Sequence, residues 1–390
     1  MAKLFLFVGG GAMSGILTGD LFVVDLSATD DNTTLVEDLR GEHVLELGGG
    51  FARTVVLTGK GVARVVVPGS SEAAALVELG SLDGQLAQVA FGLRHTLALT
   101  HGGQVFTVGD GRSGQLGHGM TEQSAQPRQV SILANRAVAQ VACGKGHSLA
   151  LTIEGNVYSW GAGENGQLGL GRPMPYLVPR YLSAMQSTPI SLIAAGAAHT
   201  VALSVYGNVY AWGEALCGQL GLGKPLRSKP SPVEVPGLPD VKSVSCGEVH
   251  TAALSAAGEL YCWGQSTRGP PLSRKTTSSP EKVDFAQPIA TISCGGGSTV
   301  AITERGEAVY WSPADLGTHL VPLPTGAKAS RAACSGDAAM FFVETSIGTI
   351  RPVCCPLRGG CTMEVLCHAL AALRLSPKLS LEPEVERARM

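Results

Sequence analysis

The chain has 390 residues, a formal net charge of −2, 15% charged and 45% hydrophobic residues, and 51 glycines. The hydrophobic share excludes an intrinsically disordered chain. There is no basic run or Lys/Arg-rich tail, and non-specific DNA binding draws on clustered positive charge, so no direct nucleic-acid contact is expected.

Residues 4–19 (LFLFVGGGAMSGILTG) open the chain as a strand followed by a Gly-x-Leu-x-Gly loop. The apolar run of residues 4–8 is short for a secretory signal, and no later run is long enough to span a membrane. The expected location is therefore intracellular, cytoplasmic or nuclear, and not secreted. Residues 20–40 are polar and acidic and read as a surface loop around DLSATDDNTT. Residues 44–68 form a first, degenerate copy of a unit that becomes clear further on.

The unit is best seen in residues 141–171, VACGKGHSLALTIEGNVYSWGAGENGQLGLG. It reads as short strands separated by Gly turns, the pattern of antiparallel sheet. Its Gly-x-x-His core appears as Gly92 with His95, Gly144 with His147, Gly196 with His199 and Gly247 with His250. The histidines recur 52, 52 and 51 residues apart. Arg53 and Ser298 stand at the same place in degenerate copies, and an eroded copy runs through residues 332–344. A second element, Gly-x-Val-Tyr-x-Trp-Gly, places Trp160, Trp212 and Trp263 in register. A third, Gly-Gln-Leu-Gly, follows the aromatic strand in the best copies. Pro-rich spacers carry outer strands at residues 178–182 and 233–235.

A unit of about 50 residues with four short strands cannot bury its own apolar face, so copies must stack or close into a ring. Seven copies predict an all-β, seven-bladed β-propeller over residues 1–352. The half-unit at residues 4–19 supplies a strand that completes the last blade. Residues 353–390 are expected to be a separate tail, with a helix over 362–375 (TMEVLCHALAALRL), which lacks Gly and Pro, followed by a polar, disordered end.

The order and repetition of the three motifs resemble the regulator of chromosome condensation family, whose founding member is a guanine-nucleotide exchange factor for the Ran GTPase. The resemblance implies a seven-bladed propeller and leaves two functional readings open. One is a non-catalytic scaffold or adaptor that docks a protein partner. The other is an exchange factor for Ran or another small GTPase, which needs no acid or base. Against exchange, the best units leave no room for an inserted wedge, and the turn positions are mixed in charge. A light-sensing branch of the family ties its Trp cluster to Gly-Trp-x-His-Thr, and no Trp precedes these histidines.

Histidines at equivalent positions of different blades are spread around a ring and cannot converge on one ion. Gly92, His95, Gly144, His147, Gly196, His199, Gly247, His250, Trp160, Trp212 and Trp263 are therefore read as structural repeat residues, each His bonding a turn. No catalytic residue, metal or cofactor is assigned. Cys143, Cys246, Cys294 and Cys334 share one repeat position and read as small core residues. Cys354, Cys355, Cys361, Cys367 and His368 lack a zinc-ligand spacing. The partner-binding candidates are the loop residues Arg94, Lys145, Glu248, Asp110, Arg112 and Glu164, on a chain expected to be monomeric.

Overall fold

A computed structural model describes residues 19–25, 33–35, 44–49, 54–66, 73–75, 77–224, 226–265, 276–311, 318–321, 323, 328–335 and 338–344. The chain divides into units Met1–Thr345 and Ser346–Met390, and all described residues belong to the first. They form four-stranded antiparallel sheets. Six are blades of four consecutive strands: residues 44–75, 86–129, 138–181, 190–234, 241–283 and 289–320, numbered blades 1 to 6 below. A further sheet is composite. It joins Lys328–Ser335 and Ala338–Glu344 to β1 (Gly19–Asp25) and β2 (Thr33–Leu35) from the other end of the chain.

This corrects the expected architecture. The chain does not build seven equivalent blades, and residues 4–18 of the half-unit expected to supply the closing strand lie outside the described residues. Six blades are consecutive, and the remaining sheet takes two N-terminal strands from a stretch that reads as an acidic loop. β1 pairs along its whole length with Ala338–Glu344, Leu21 opposite Phe342 and Phe22 opposite Phe341. Residues 21–24 are a short apolar run inside that acidic stretch, and the long-range pairing makes them a strand. There is no α-helix among the described residues, only short 3-10 turns such as Ser131–Leu133 and Ser183–Met185. The expected helix over 362–375 and the C-terminal cysteines lie outside the described residues. The outer strands of blades 3 and 4 are Tyr176–Tyr181 and Ser228–Glu234, longer than their sequence pattern indicates.

The first strand of each blade lies innermost and packs on the first strands of its neighbours, and the strand Lys328–Ser335 of the composite sheet packs on Val44–Gly49 of blade 1. The ring therefore closes. The second strands, His95–Thr100, His147–Thr152, His199–Ser204, His250–Ser255 and Ser298–Thr303, are buried at every residue. Each is covered on both faces, which explains why they read as continuous apolar and small residues rather than as alternating ones. The core is a set of seams between blades. Leu97 and Leu99 of blade 2 pack with Val141, Ala150 and Trp160 of blade 3, and Leu149 and Leu151 of blade 3 with Ile193 and Trp212 of blade 4.

Every innermost strand carries one register irregularity, ending at Glu46, Gln88, Gln140, Leu192, Ser243, Thr291 and Arg331. These bulges set equivalent side chains around the axis. Gln140 acts as a piece of strand edge: its Nε2 donates to the Ile193 carbonyl at 3.0 Å, and its Oε1 accepts the Ile193 amide at 2.9 Å. Gln88 accepts the Val141 amide at 2.8 Å and donates to Glu46 Oε1 at 3.2 Å. At the closing seam the Arg331 guanidinium donates to the Leu45 carbonyl.

Burial pushes the Glu46 carboxyl up to about 8, outweighing the Gln88 hydrogen bond and the Arg331 charge that favour its ionised form. A folded value above the unfolded one means that the folded state binds more protons. The stabilisation is fully present below about pH 4.5 and is lost as pH rises through about 8. Chemical denaturation at a series of pH values should show Glu46→Gln gaining stability over the wild type by about 2–4 kcal/mol between pH 5 and 8.5. A constant difference would show that Glu46 is not the group responsible.

Candidate docking face

The antiparallel order of each blade places two kinds of connection on one face of the ring. One is the Gly-x-x turn between first and second strands; the other is the long Gly-rich loop between third and fourth strands. Their proximity is fixed by backbone bonds: the Asp110 amide donates to Arg94 O, Ala162 to Gly146 O and Glu214 to Ala198 O, at 2.8–2.9 Å.

Beneath this face the histidines hold neighbouring blades together. His95 Nε2 lies 3.0 Å from Ser148 Oγ, His147 from Thr200 Oγ1, His199 from Thr251 Oγ1 and His250 from Thr299 Oγ1. Three of these hydroxyls donate onward, Ser148 to the Gln115 carbonyl, Thr200 to Gln167 and Thr251 to Gln219, each at 2.8 Å. A hydroxyl that donates its proton there must accept from the imidazole, so His95, His147 and His199 carry theirs on Nε2. The same Gln carbonyls accept the indole Nε1–H of Trp160, Trp212 and Trp263 at 2.8–2.9 Å. Each histidine thus bonds a hydroxyl of the next blade rather than its own turn.

Two glycine positions follow from this packing. A Cβ on Gly144 would lie 2.0 Å from the His147 ring and 2.6 Å from the Gly196 carbonyl, and Gly92, Gly196 and Gly247 are placed alike. A Cβ on Gly117, at φ +77°, would lie 2.8 Å from Trp160 Nε1. Burial holds the imidazoles well below their ordinary value, His95 and His250 to about 4, His147 and His199 to about 3. Cys143, Cys294 and Cys334 are buried and Cys246 partly so; burial pushes the Cys294 thiol up to about 11. Among the described residues, no group of His, Cys, Asp and Glu could hold a metal ion, and no helix is long and apolar enough to cross a membrane.

Above this layer the turns of blades 2 to 6 join into a belt, each bonded to the next. The Leu93 amide donates to Lys145 O at 3.3 Å, Lys145 to Ala197 O at 3.1 Å, Ala197 to Glu248 O at 2.9 Å and Glu248 to Gly296 O at 2.7 Å. Arg94 and Lys145 are exposed on this belt and Glu248 is half-buried. Asp110, Arg112 and Glu164 stand in the long loops. Asp110 Oδ1 accepts the Arg112 amide at 3.0 Å and faces Arg112 Nε at 3.7 Å, and Glu164 accepts the Gly163 amide at 3.0 Å. The structure therefore brings all six candidates to one face, but Asp110 and Glu164 also organise their own loops. The roles of Gln115, Gln167 and Gln219, and of the hydroxyls, were not drawn from the sequence. Their recurrence at the repeat spacing is the signal that could have found them.

The family model of the RCC1-like domain matches residues 7–312. Among curated proteins, the ultraviolet-B receptor UVR8 of Arabidopsis thaliana is 40% identical over 195 residues, covering 49% of this chain and 44% of that protein. The human probable E3 ubiquitin-protein ligase HERC6 is 36% identical over 208 residues, covering 50% of this chain and 20% of that protein. The matches thus span less than half the length of these relatives. Two solved structures share the fold. Yeast RCC1 (Prp20) bound to Kap60 has a TM-score of 0.71 at 18% identity, covering 88% of this chain and 92% of that one. Human WBSCR16 has 0.69 at 22%, covering 84% and 100%.

Thermal and chemical unfolding test the seams. Gly144→Ala should cost about 3 kcal/mol or more, because the methyl meets both a buried ring and a carbonyl. Gly146→Ala, whose Cβ would meet only Ala162 Cβ at 3.4 Å, should stay within about 0.5 kcal/mol. Thr200→Val should cost about 1–3 kcal/mol by leaving the His147 Nε2–H unsatisfied and the Gln167 carbonyl with the Trp212 indole alone. The depressed histidines bind protons more readily in the unfolded chain, so their contribution is present above about pH 6.5 and is lost as pH falls through 4 to 3. Four such groups predict a slope of about 4–5 kcal/mol per pH unit between pH 4 and 6; His147→Gln should lower it by about one proton's worth.

Proposed function

Since the chain belongs to the RCC1-like domain family, we propose that it is a non-catalytic docking propeller, a scaffold or adaptor that engages a protein partner through the face carrying the Gly-x-x turns and long loops. One contrast supports this reading. The buried polar side chains repeat from blade to blade and are committed to the seams, whereas the side chains raised on the belt above them do not repeat. Arg94, Lys145, Ala198 and Glu248 occupy neighbouring turns of one rigid framework. Invariant support beneath a variable surface suits recognition of one particular partner surface. Yeast Prp20, with the same fold, was solved bound to a protein, Kap60. Buried thiols such as Cys143 and Cys294 suit a reducing compartment, and the proposal places the protein inside the cell.

The test is a pull-down from cell extract with tagged protein, in EDTA and again in excess GTP and Mg²⁺, with mass spectrometry of the bound proteins. It is run beside two variants. Arg94→Ala/Lys145→Ala/Glu248→Ala alters the docking face. Ile153→Ser/Tyr206→Ser alters turns on the opposite face, where these side chains are 61% and 70% exposed. The expected result is a set of partners indifferent to nucleotide and lost only with the docking-face variant. A small GTPase captured in EDTA and released by GTP would replace this reading with nucleotide exchange. Loss only with Ile153→Ser/Tyr206→Ser would move the docking site to the other face.

A further inference from the structure

Among the described turns the charges on this face are unevenly placed. Blades 2 and 3 raise Leu93, Arg94 and Lys145 from adjacent turns, which the bond from the Leu93 amide to Lys145 O holds together. The turn of blade 4 contributes Ala197 and Ala198, with Glu214 beside it accepting from Gln219 Nε2 at 3.3 Å, and the turn of blade 5 contributes Glu248. Two carboxylates of the long loops on this side are engaged, Asp110 with Arg112 and Glu164 with its own loop, while Glu122 is exposed beside Gln123. Among the described residues the Arg94 and Lys145 side chains take part in no hydrogen bond or ion pair. Beside Arg94 a hollow is lined by Leu93, Thr96, Gln123, Ser124 and Ala125, and Leu93 is 45% exposed at its rim.

We infer that this side of the face binds an acidic segment of the partner, a short peptide whose carboxylates lie over Arg94 and Lys145 while an apolar side chain enters the hollow against Leu93. The inference rests on the docking reading above and supplies the chemistry of its partner. Arg94 offers a planar fork suited to a carboxylate, and Lys145 offers a point charge. Both are in contact with water, so each pair contributes modestly and is weakened by salt. The apolar contact beside them adds what charge alone does not. Glu248 sets direction, because a run of acids extended across the belt toward blade 5 meets a like charge. The Ala197–Ala198 stretch between them leaves room for the peptide backbone to cross.

The purified full-length protein is titrated against a fluorescent peptide of about twelve residues carrying four consecutive Asp/Glu residues and one Leu. Its Asn/Gln counterpart, a phosphoserine version and a DNA duplex serve as comparisons. The acidic peptide should bind, and its affinity should fall about fivefold or more between 50 and 300 mM salt. Arg94→Glu/Lys145→Glu should lose about tenfold or more, and Glu248→Lys should tighten binding severalfold. Unchanged melting temperatures establish that the variants are folded. No binding by the wild type, equal binding of the Asn/Gln peptide, retention by the charge-reversed variant, or tighter binding of DNA overturns the inference. A phosphoserine peptide that binds while the carboxylate peptide does not also overturns it. If cellular partners are lost with the docking-face variant but the peptide fails, the face stands and the acidic chemistry falls. If the peptide binds as expected but the partners use the other face, the docking reading falls.

Discussion

The structure depends on one composite interaction, the hydrogen-bonded chain that crosses between consecutive blades from blade 2 to blade 5. An imidazole donates to a hydroxyl, the hydroxyl donates to a Gln carbonyl, and the same carbonyl accepts an indole N–H. At the junction of blades 3 and 4 the members are His147, Thr200, Gln167 and Trp212. All are fully or almost fully buried. A buried polar group without its partner costs more than the bond itself contributes, so each member requires the others. The apolar packing around the chain supplies attraction without direction. The polar chain supplies the register between blades, and that register carries the turns above it.

The ring is not uniform. The chain is complete between blades 2 and 5 and changes toward the ends of the sequence. Ser298 replaces the histidine in blade 6, and Ala339 of the composite sheet stands at the register position of Ser148, Thr251 and Thr299. The imidazole donor and the hydroxyl acceptor are lost together, and the Ser298 hydroxyl that remains is buried with no hydrogen-bond partner among the described residues. Cys334 bonds across this junction instead, its amide to Ser293 Oγ at 3.1 Å and its Sγ toward the Gly295 carbonyl at 3.7 Å. The closing junction relies on Arg331 and Leu45, with Glu46 and Gln88 beside them. One stretch of the ring is thus fastened by repetition and the other by individual contacts. The docking face lies over the repetitive stretch, where the framework is most regular.

Much of the fold was legible because its determinants are local or periodic. Gly-x-x-His recurs at a fixed spacing since the glycine must clear the ring of the histidine three residues on, and that constraint stays within one turn. The order of strands, the outer strands near Pro179 and Pro230, and the burial of the second strands follow from the same pattern. The docking candidates were found because turn positions can be located once the repeat is aligned. Their relations were not legible. That Leu93 and Lys145 share a backbone bond is decided between segments about 50 residues apart.

By itself the sequence determined the repeat, its all-β character and the residues that would be buried, because a period and a steric requirement are properties of the chain. Tertiary structure decided what no period contains. It completed the composite sheet with β1 and β2, since the pairing of β1 is realised only against Ala338–Glu344. It turned the histidines outward to the next blade, since a hydroxyl there already donates to a carbonyl. It set Glu46 beside Gln88 and near Arg331, bringing together residues from opposite ends of the chain, because only a closed ring makes the first and last innermost strands neighbours.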